Sequence, residues 1–331
     1  MKKQLVQPAE AGMRLDTFIA SHFPANSRSQ ACKSIRHGMI KVNGNTAKPA
    51  YRVSAGETIQ GSILPAKQIR IEPEAMALLT LYEDSDIIVI NKQPGIVIHP
   101  AVGHYSGTLV NGLLYCYPEI KNVGDDLRPG IVHRLDKDTS GVIVVARNEA
   151  SLEVLAGQFK QRKVKKEYLA LVYGEPQVES GTIKLPIGRH PSNRKKMSTR
   201  SKPPKKNQIM SRIRPAETHW QVVERFHGAS FLRLDLKTGR THQARVHCAA
   251  IHHPVIADTV YGKTKLKERL LKDKRSDDDS KHVLRLTSRQ MLHARRISFT
   301  HPQTKKNVTF ECPLPEDMRK LLTVLKANAE R

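Results

Sequence analysis

His133-Arg134-Leu135-Asp136-Lys137-Asp138-Thr139-Ser140-Gly141 is the stretch on which the reading of this chain depends. Ile131-Val132 precedes it and Val142-Ile143-Val144-Val145 follows, so a turn dense in charge joins two apolar runs that read as buried strands. Charge held beside a core is costly unless it is paired, hydrogen-bonded or used in chemistry. Asp136 is the acid that such a turn would present. Asp138 is expected to cap Ser140-Gly141 locally, as short acidic side chains do in tight turns.

Outward from that turn, bulk properties narrow the class. With 331 residues, the chain has room for one large core and a smaller module. Its composition, 39% hydrophobic and 26% charged with mean hydropathy −0.47, is that of a globular protein. No apolar run approaches the roughly 18 residues of a membrane span, and no apolar segment follows Lys2-Lys3 to suggest a secretory signal. Cys32, Cys116, Cys248 and Cys312 lie far apart, which points to a reducing, cytoplasmic compartment. Lys and Arg number 56 against 31 Asp and Glu, a net charge of +25. That excess selects a polyanionic partner, nucleic acid above all. Aromatics make up only 5%, so backbone tracking plus one deep site is expected, not a stacking platform for long single strands.

Residues 1–12 read as a tail, 13–62 as a compact module, 63–78 as a linker and 79–331 as a second domain. In the module, Leu15, Phe18 and Ile19 form a helical stripe, and Ser27-Arg28-Ser29-Gln30 opens a second helix that Gly38 ends. Ile40-Lys41-Val42 then runs into an Asn43-Gly44 hairpin turn. Arg14, Arg28, Lys33, Arg36 and Lys41 are its candidate RNA-binding cations. In the second domain, residues 87–90, 142–145, 168–172 and 231–236 are strand-like. Ser151 is placed as the cap of a helix carrying Leu152, Leu155, Ala156 and Phe159. Short strands with few long helices predict an α+β domain with a mixed, largely antiparallel sheet. Two charged stretches, 194–206 and 263–281, are expected to be solvated loops or arms that order on RNA.

The module's Arg14-Leu15-Asp16, Ser27 to Gln30 and Val42-Asn43-Gly44 resemble the S4 RNA-binding domain. The charged turn resembles the signature loop of the RluA/RluD-type pseudouridine synthases, and the likeness runs through nearly the whole chain. Asn91-Lys92-Gln93-Pro94-Gly95 with Ile98-His99-Pro100 matches that family's opening motif, Lys165 to Ala170 its second, and Thr238 to His247 its third. Within the family, the branch acting on large-subunit ribosomal RNA is the nearest in pattern. The resemblance implies isomerisation of uridine to pseudouridine in structured RNA. Asp136 would be the catalytic carboxylate, Tyr168 a ring under the target base, and Arg245 the cation paired with the acid. Arg134 would fill the space left by an everted nucleotide, with Arg240 as a further RNA contact.

Physical chemistry supports that allocation. Breaking the N1–C1′ bond and rejoining uracil through C5 is redox-neutral. It calls for an ionised carboxylate near C1′, a dry pocket and a hold on the released base. A buried acid stays ionised only beside a cation, and the fork of Arg245 is suited to a bidentate grip on Asp136. Whether Asp136 attacks C1′ or removes a ribose proton is left open by the sequence. Simpler readings stand alongside: an ion pair that only braces the turn for Asp136, a core tyrosine for Tyr168, and a salt bridge to Asp138 or Asp126 for Arg134. His133, on the same loop and a further RNA-binding candidate, reads as a residue bracing the loop, not as a general base.

His242, His247, Cys248, His252 and His253 crowd one segment without the spacing of a closed metal site, so neither metal nor cofactor is expected. No phosphate-loop, dinucleotide or serine-hydrolase motif is present, which excludes those classes. Ala244 and the stretch Ala257-Asp258-Thr259-Val260-Tyr261-Gly262 depart from the family pattern, the latter with Ala and Thr where Gly and Pro are common. The expected protein is a monomer that binds large-subunit ribosomal RNA or a pre-ribosomal particle and no membrane. Action on other ribosomal or transfer-RNA uridines, or a non-catalytic role in ribosome assembly, are the alternatives.

Overall fold

The computed structural model describes residues 3–22, 28–64, 71–100, 104–193, 196–199, 213–262, 285 and 287–329. Ser27 and most of the stretches 194–206 and 263–281 lie outside the described residues. The chain divides into two compact units, Met1–Arg70 and Ile71–Arg331.

The first unit follows the sequence closely. β1 (Gln4–Leu5) leads to α1 (Leu15–His22) and α2 (Arg28–Arg36), then β2 (Ile40–Val42), β3 (Asn45–Thr46) and β4 (Thr58–Gly61). The sheet order is β1-β4-β2-β3. Leu15, Phe18 and Ile19 pack with Ala31, Ile35, Ile40, Val42 and Ile59 in one small core. Asn43 and Gly44 both hold positive φ, 47° and 80°, the conformation that a two-residue hairpin needs to match strand twist. The expected tail is not one: Gln4 and Leu5 pair with Ile59 and Thr58, and Val6 is buried. A two-residue strand is too short to show a period, so only its pairing reveals it. Asp16 is buried between Arg14 (2.7 Å) and Arg28 (3.2 Å).

The second unit opens with residues 71–78, which were expected in the linker. Ile71 and Leu78 pack on its core, and the Glu72 carbonyl accepts a hydrogen bond from the Asn111 side chain. The chain then forms β5 (Thr80–Glu83), β6 (Ile87–Lys92), α3 (Leu109–Cys116), β7 (Ser140–Ala146), α4 (Glu149–Lys160), β8 (Lys165–Tyr173), β9 (Ser180–Ile183), β10 (Ile187–Arg189) and β11 (Met197–Thr199). It continues through β12 (Thr218–Phe226), β13 (Ala229–Leu236), α5 (Gln243–Ala250), β14 (Leu292–Thr300), β15 (Asn307–Glu311) and α6 (Glu316–Ala329). β11 pairs with β10, so part of the expected arm 194–206 is strand. α4 begins earlier than expected: Asn148, not Ser151, is its cap, accepting from the Ser151 N–H while the Ser151 hydroxyl bonds Asp86.

One sheet of order β5-β6-β7-β14-β8-β13-β12-β9, with β15 beside β14, organises this unit. Every pairing is antiparallel except β7 with β14. Alternate residues of β6 and β7 feed two separate cores. Ile88, Ile90, Ile143 and Val145 pack with α3, whereas Ile87, Val89, Val142 and Val144 pack with Leu155 of α4. A strand buried on both faces reads as an unbroken apolar run because neither face meets water, and each such aliphatic side chain contributes about 1.5–3 kcal/mol. α6 covers the far end of the sheet with Met318, Leu321, Leu322 and Leu325.

The parallel pairing positions everything that follows. Ala294 of β14 lies opposite Gly141 on one side and Tyr168 on the other. The approach is so close that a Cβ on Gly141, which holds φ 125°, would overlap the Ala294 backbone oxygen and lie 2.6 Å from its nitrogen. Glycine at the end of the charged turn therefore allows β14 to dock there.

The Asp16 cluster yields a pH prediction. Burial opposes ionisation of Asp16, but hydrogen bonds from Arg14, Arg28 and the Cys32 thiol outweigh it and hold the carboxyl well below its usual range. An acid depressed on folding contributes stability that is complete above its ordinary pKa of about 3.9 and is lost as pH falls toward the depressed value. Asp16→Asn should lower protection of the α1 and α2 amides in full-length protein at neutral pH and flatten its loss in acid, as read by hydrogen exchange.

Candidate active site

The charged turn is held from several sides. Leu135 is buried in the core under α3, and the Asp136 carbonyl accepts from Thr139 N–H at 3.1 Å to close the turn. Lys92, only 1% exposed, donates to the carbonyls of Gln93 (2.8 Å), Ile96 (3.0 Å) and Lys137 (2.9 Å). Three acceptors match the three protons of an ammonium, although burial pulls Lys92 down to about 7. On the other flank Arg289, tied to Asp317, donates to the Asp138 carbonyl at 3.0 Å. The expected cap by the Asp138 side chain is not formed: Asp138 is held by its backbone, and its carboxylate instead lends favourable charge near Lys92.

This stapled turn exposes Asp136 in a cleft of about 430 Å³. Arg245 Nη1 reaches Asp136 Oδ2 at 3.0 Å. The expected bidentate grip goes elsewhere: Arg245 Nε and Nη2 fork onto Asp258 at 2.6 and 2.9 Å. Asp258 is wholly buried and is further fixed by the backbone N–H groups of Val260 and Tyr261 at 2.9 and 3.0 Å. Burial penalises both partners. Hydrogen bonds with and charge from Asp258, seconded by Asp136, still raise Arg245 above its ordinary value, and Arg245 in turn holds Asp258 below its own. One guanidinium thus serves two carboxylates, and Asp136, with its side chain 18% exposed in the cleft, keeps Oδ1 outside the hydrogen bonds of Arg245. Sequence reasoning passed over Asp258 as a pairing residue. The signal was there in the stretch of altered pattern around it: Ala257 holds φ 57°, a left-handed position that favours glycine.

Tyr168 lines the same cleft and packs against both adjoining cores. Burial and then the charge of Asp136 push its phenol well up, so it keeps its proton at neutral pH. Arg134 stands exposed at the rim and forms no ion pair among the described residues, so the alternative bridges to Asp138 or Asp126 are not made. His133 turns inward. Its Nε2 accepts from Val144 N–H at 2.9 Å, its ring stacks on Phe159, and burial pushes it down to about 3, which leaves it uncharged. That geometry fits a brace and offers RNA no cation.

The cleft is lined by Arg134, Lys160, Arg162, Lys166, Lys237, Arg240 and Arg245, with Asp136 as its only acid among the described residues. Lys166 is pushed down to about 8 by burial and then by Arg240, and its ammonium donates to the Thr238 carbonyl at 3.5 Å. Lys160, Arg162, Lys166 and Lys237 were not singled out from sequence, although the dense run Lys160-Gln161-Arg162-Lys163-Val164-Lys165-Lys166 marked the place. Lys33, Arg36 and Lys41 are exposed in the first unit, while Arg14 and Arg28 share Asp16. His247 is engaged by Thr218 and the Leu185 carbonyl, and His253 by the Tyr173 carbonyl. No cluster of three or more metal-binding side chains occurs among the described residues. No helix among them is long and apolar enough to cross a membrane.

A cleft lined by cations around one pinned carboxylate and a protonated phenol is suited to chemistry on a polyanionic substrate. Residues 86–250 match the family described as RNA pseudouridylate synthase, and residues 13–59 match the S4 domain. The chain is 40% identical over 327 residues to the ribosomal large subunit pseudouridine synthase D of Neisseria meningitidis serogroup A, covering 98% of this chain and 82% of that protein. It is 38% identical over 331 residues to the protein of the same name in Xanthomonas campestris, covering 100% and 94%. Among solved structures, the human RNA pseudouridylate synthase domain containing 1 superposes with a TM-score of 0.53 at 26% identity, covering 80% of this chain and 98% of that one. The chain belongs to the RNA pseudouridylate synthase family. It is an isomerase whose substrate is RNA.

Removing the inner carboxylate should expose its importance. Asp258→Ala strands a buried guanidinium, a loss of about 3–5 kcal/mol for a broken buried pair. Denaturant unfolding of the full chain measures it. A midpoint equal to wild type would show that Asp136 alone suffices to hold Arg245.

Proposed function

We propose that this chain isomerises uridine to pseudouridine in large-subunit ribosomal RNA, with Asp136 as the catalytic carboxylate. The observation that carries the proposal is the single hydrogen bond from Arg245 to Asp136 Oδ2, which leaves the other oxygen of this cleft-lining acid unbonded by the guanidinium. Arg245 favours the ionised acid without closing over both its oxygens. The net reaction breaks N1–C1′ and forms C5–C1′; N1 gains a proton and C5 loses one, so no oxidant or reductant is required. Asp136 acts at the sugar, by attack on C1′ or by removal of a ribose proton. Tyr168, which lines the same cleft, supports the cleaved uracil with its ring. A uridine in folded RNA must leave its stack to reach this cleft, at a cost of a few kcal/mol, and the unpaired Arg134 at the rim is suited to occupy the gap. The choice of large-subunit ribosomal RNA rests on the names of the relatives at about 40% identity.

The cations that line the cleft serve the phosphate backbone. Lys33, Arg36 and Lys41 of the S4 unit serve as a second docking patch. Two outcomes follow. Asp136→Asn should reduce tritium release from C5-labelled uridine in RNA to background while affinity stays within about threefold, because phosphate contacts supply most of the binding. Retained release would remove Asp136 from the chemistry, and loss of pseudouridine from ribosomal RNA in cells lacking the protein would identify the target. Separately, Arg162→Met should lower the slope of log affinity against log salt by about one phosphate contact; an unchanged slope would place that side chain off the RNA path.

A further inference from the structure

His242 has no role in the reading above, yet it lines the cleft from a constrained backbone position. It precedes α5 with φ 57° and ψ 20°, a left-handed conformation unusual for a non-glycine residue, and its side chain caps nothing. The residue after it is anchored on both sides of its amide. Gln243 Oε1 accepts from Thr238 Oγ1 at 2.7 Å and Arg240 N–H at 3.1 Å, and its amide donates to the Glu217 carbonyl and Thr218 Oγ1. With Gln243 pinned into the core, the imidazole is directed into the cleft. Strain of this kind persists where the surroundings over-determine it, and it gathers at functional sites.

The two ring nitrogens face different partners. Nε2 lies 3.9 Å from Asp136 Oδ1, the oxygen Arg245 does not touch. Nδ1 lies 2.8 Å from the hydroxyl of Tyr261, whose ring meets the imidazole edge-on. Tyr261 is itself fixed: its hydroxyl accepts the Met197 N–H at 2.8 Å, its ring carries the Arg245 guanidinium at 5.2 Å, and its backbone N–H donates to Asp258. The phenol oxygen thus already has a donor, and Nδ1 is the acceptor in reach of its own proton. A phenol donating to Nδ1 leaves the imidazole proton on Nε2, aimed at the free oxygen of the catalytic acid.

We propose that His242 is a positioning residue, a neutral imidazole locked by Tyr261 into its Nε2–H form, which holds Asp136 Oδ1 toward the sugar. The inference rests on the assignment of Asp136 made above. Neutrality matters because a second cation on this carboxylate would blunt the charge that acts at the sugar. At 3.9 Å the neutral N–H makes no hydrogen bond to Oδ1, and its dipole orients the oxygen without closing over it. The charged groups facing the ring are Asp136 and Asp258, which favour protonation, and Arg245 and Arg134, which oppose it; burial is the largest influence and lowers the pKa. Burial also pushes the Tyr261 phenol up to about 12, so the lock keeps its proton.

Nitrogen-15 correlation spectra of the full-length protein, labelled in its histidines, read the tautomer directly at neutral pH. The expected signature is a neutral ring protonated at Nε2, becoming a tautomer mixture in Tyr261→Phe. Two variants test the consequence. His242→Asn tolerates the left-handed backbone but ends short of the Nε2 position, and should lose roughly 10- to 100-fold in kcat with KM unchanged. His242→Gln carries an amide N–H close to the lost Nε2–H and should recover most of that loss. A ring protonated at Nδ1, an imidazolium at neutral pH, or an Asn variant as fast as wild type would overturn the proposal. The spectra do not depend on turnover, so an active Asp136→Asn would defeat the assignment of the acid while leaving the tautomer result to stand by itself.

Discussion

The buried guanidinium of Arg245 is the interaction on which the second unit depends. It joins the charged turn to the segment after α5, across 109 residues of sequence to Asp136 and 13 to Asp258. A cation at this depth must be matched, and Asp258 matches it with two hydrogen bonds from a wholly buried position. That division of labour gives the site its chemical character. The inner acid neutralises the arginine and fixes its plane, and the outer acid is oriented through the one nitrogen left over. Had the fork closed on Asp136, both its oxygens would have been occupied, and the cleft would hold a satisfied salt bridge.

Around this pair the backbone supplies the scaffold. β14 carries Ala294 between Gly141 and Tyr168, so main-chain pairing brings the acid-bearing turn and the tyrosine strand to the same end of the sheet. Lys92 and Arg289 then grip the turn by its carbonyls from opposite flanks. Within residues 133–141 the charge of Asp136 is matched by Arg245 of α5, while the other partners hold the turn by its backbone and leave Arg134 exposed at the rim.

Much of this was legible in the sequence, and the reasons differ by element. Continuous apolar runs at 87–90 and 142–145 gave buried strands because both faces are covered. Leu15, Phe18 and Ile19, then Asn43-Gly44, gave the first unit because helix period and turn chemistry are local properties. The cleft residues Asp136, Tyr168 and Arg245 stood in recognisable motifs. What escaped was non-local. Gln4-Leu5 and residues 71–78 are structured only through partners far along the chain. The cap of α4 was misplaced because Asn148 and Ser151 are both good capping residues, and it was Asp86, 65 residues away, that took the serine hydroxyl. The second carboxylate on Arg245 escaped for the same reason: a guanidinium's choice between two acids is set by three-dimensional packing and leaves no periodic trace.

The shared pairing of Ala294 has an evolutionary corollary. Because peptide-to-peptide bonding across one intervening strand spaces the acid from the aromatic ring, side-chain replacement has little leverage over that interval. Diversification toward new transcripts would therefore be confined to the perimeter, where positively charged residues and the amino-terminal module can be exchanged piecemeal while the reactive geometry is inherited intact.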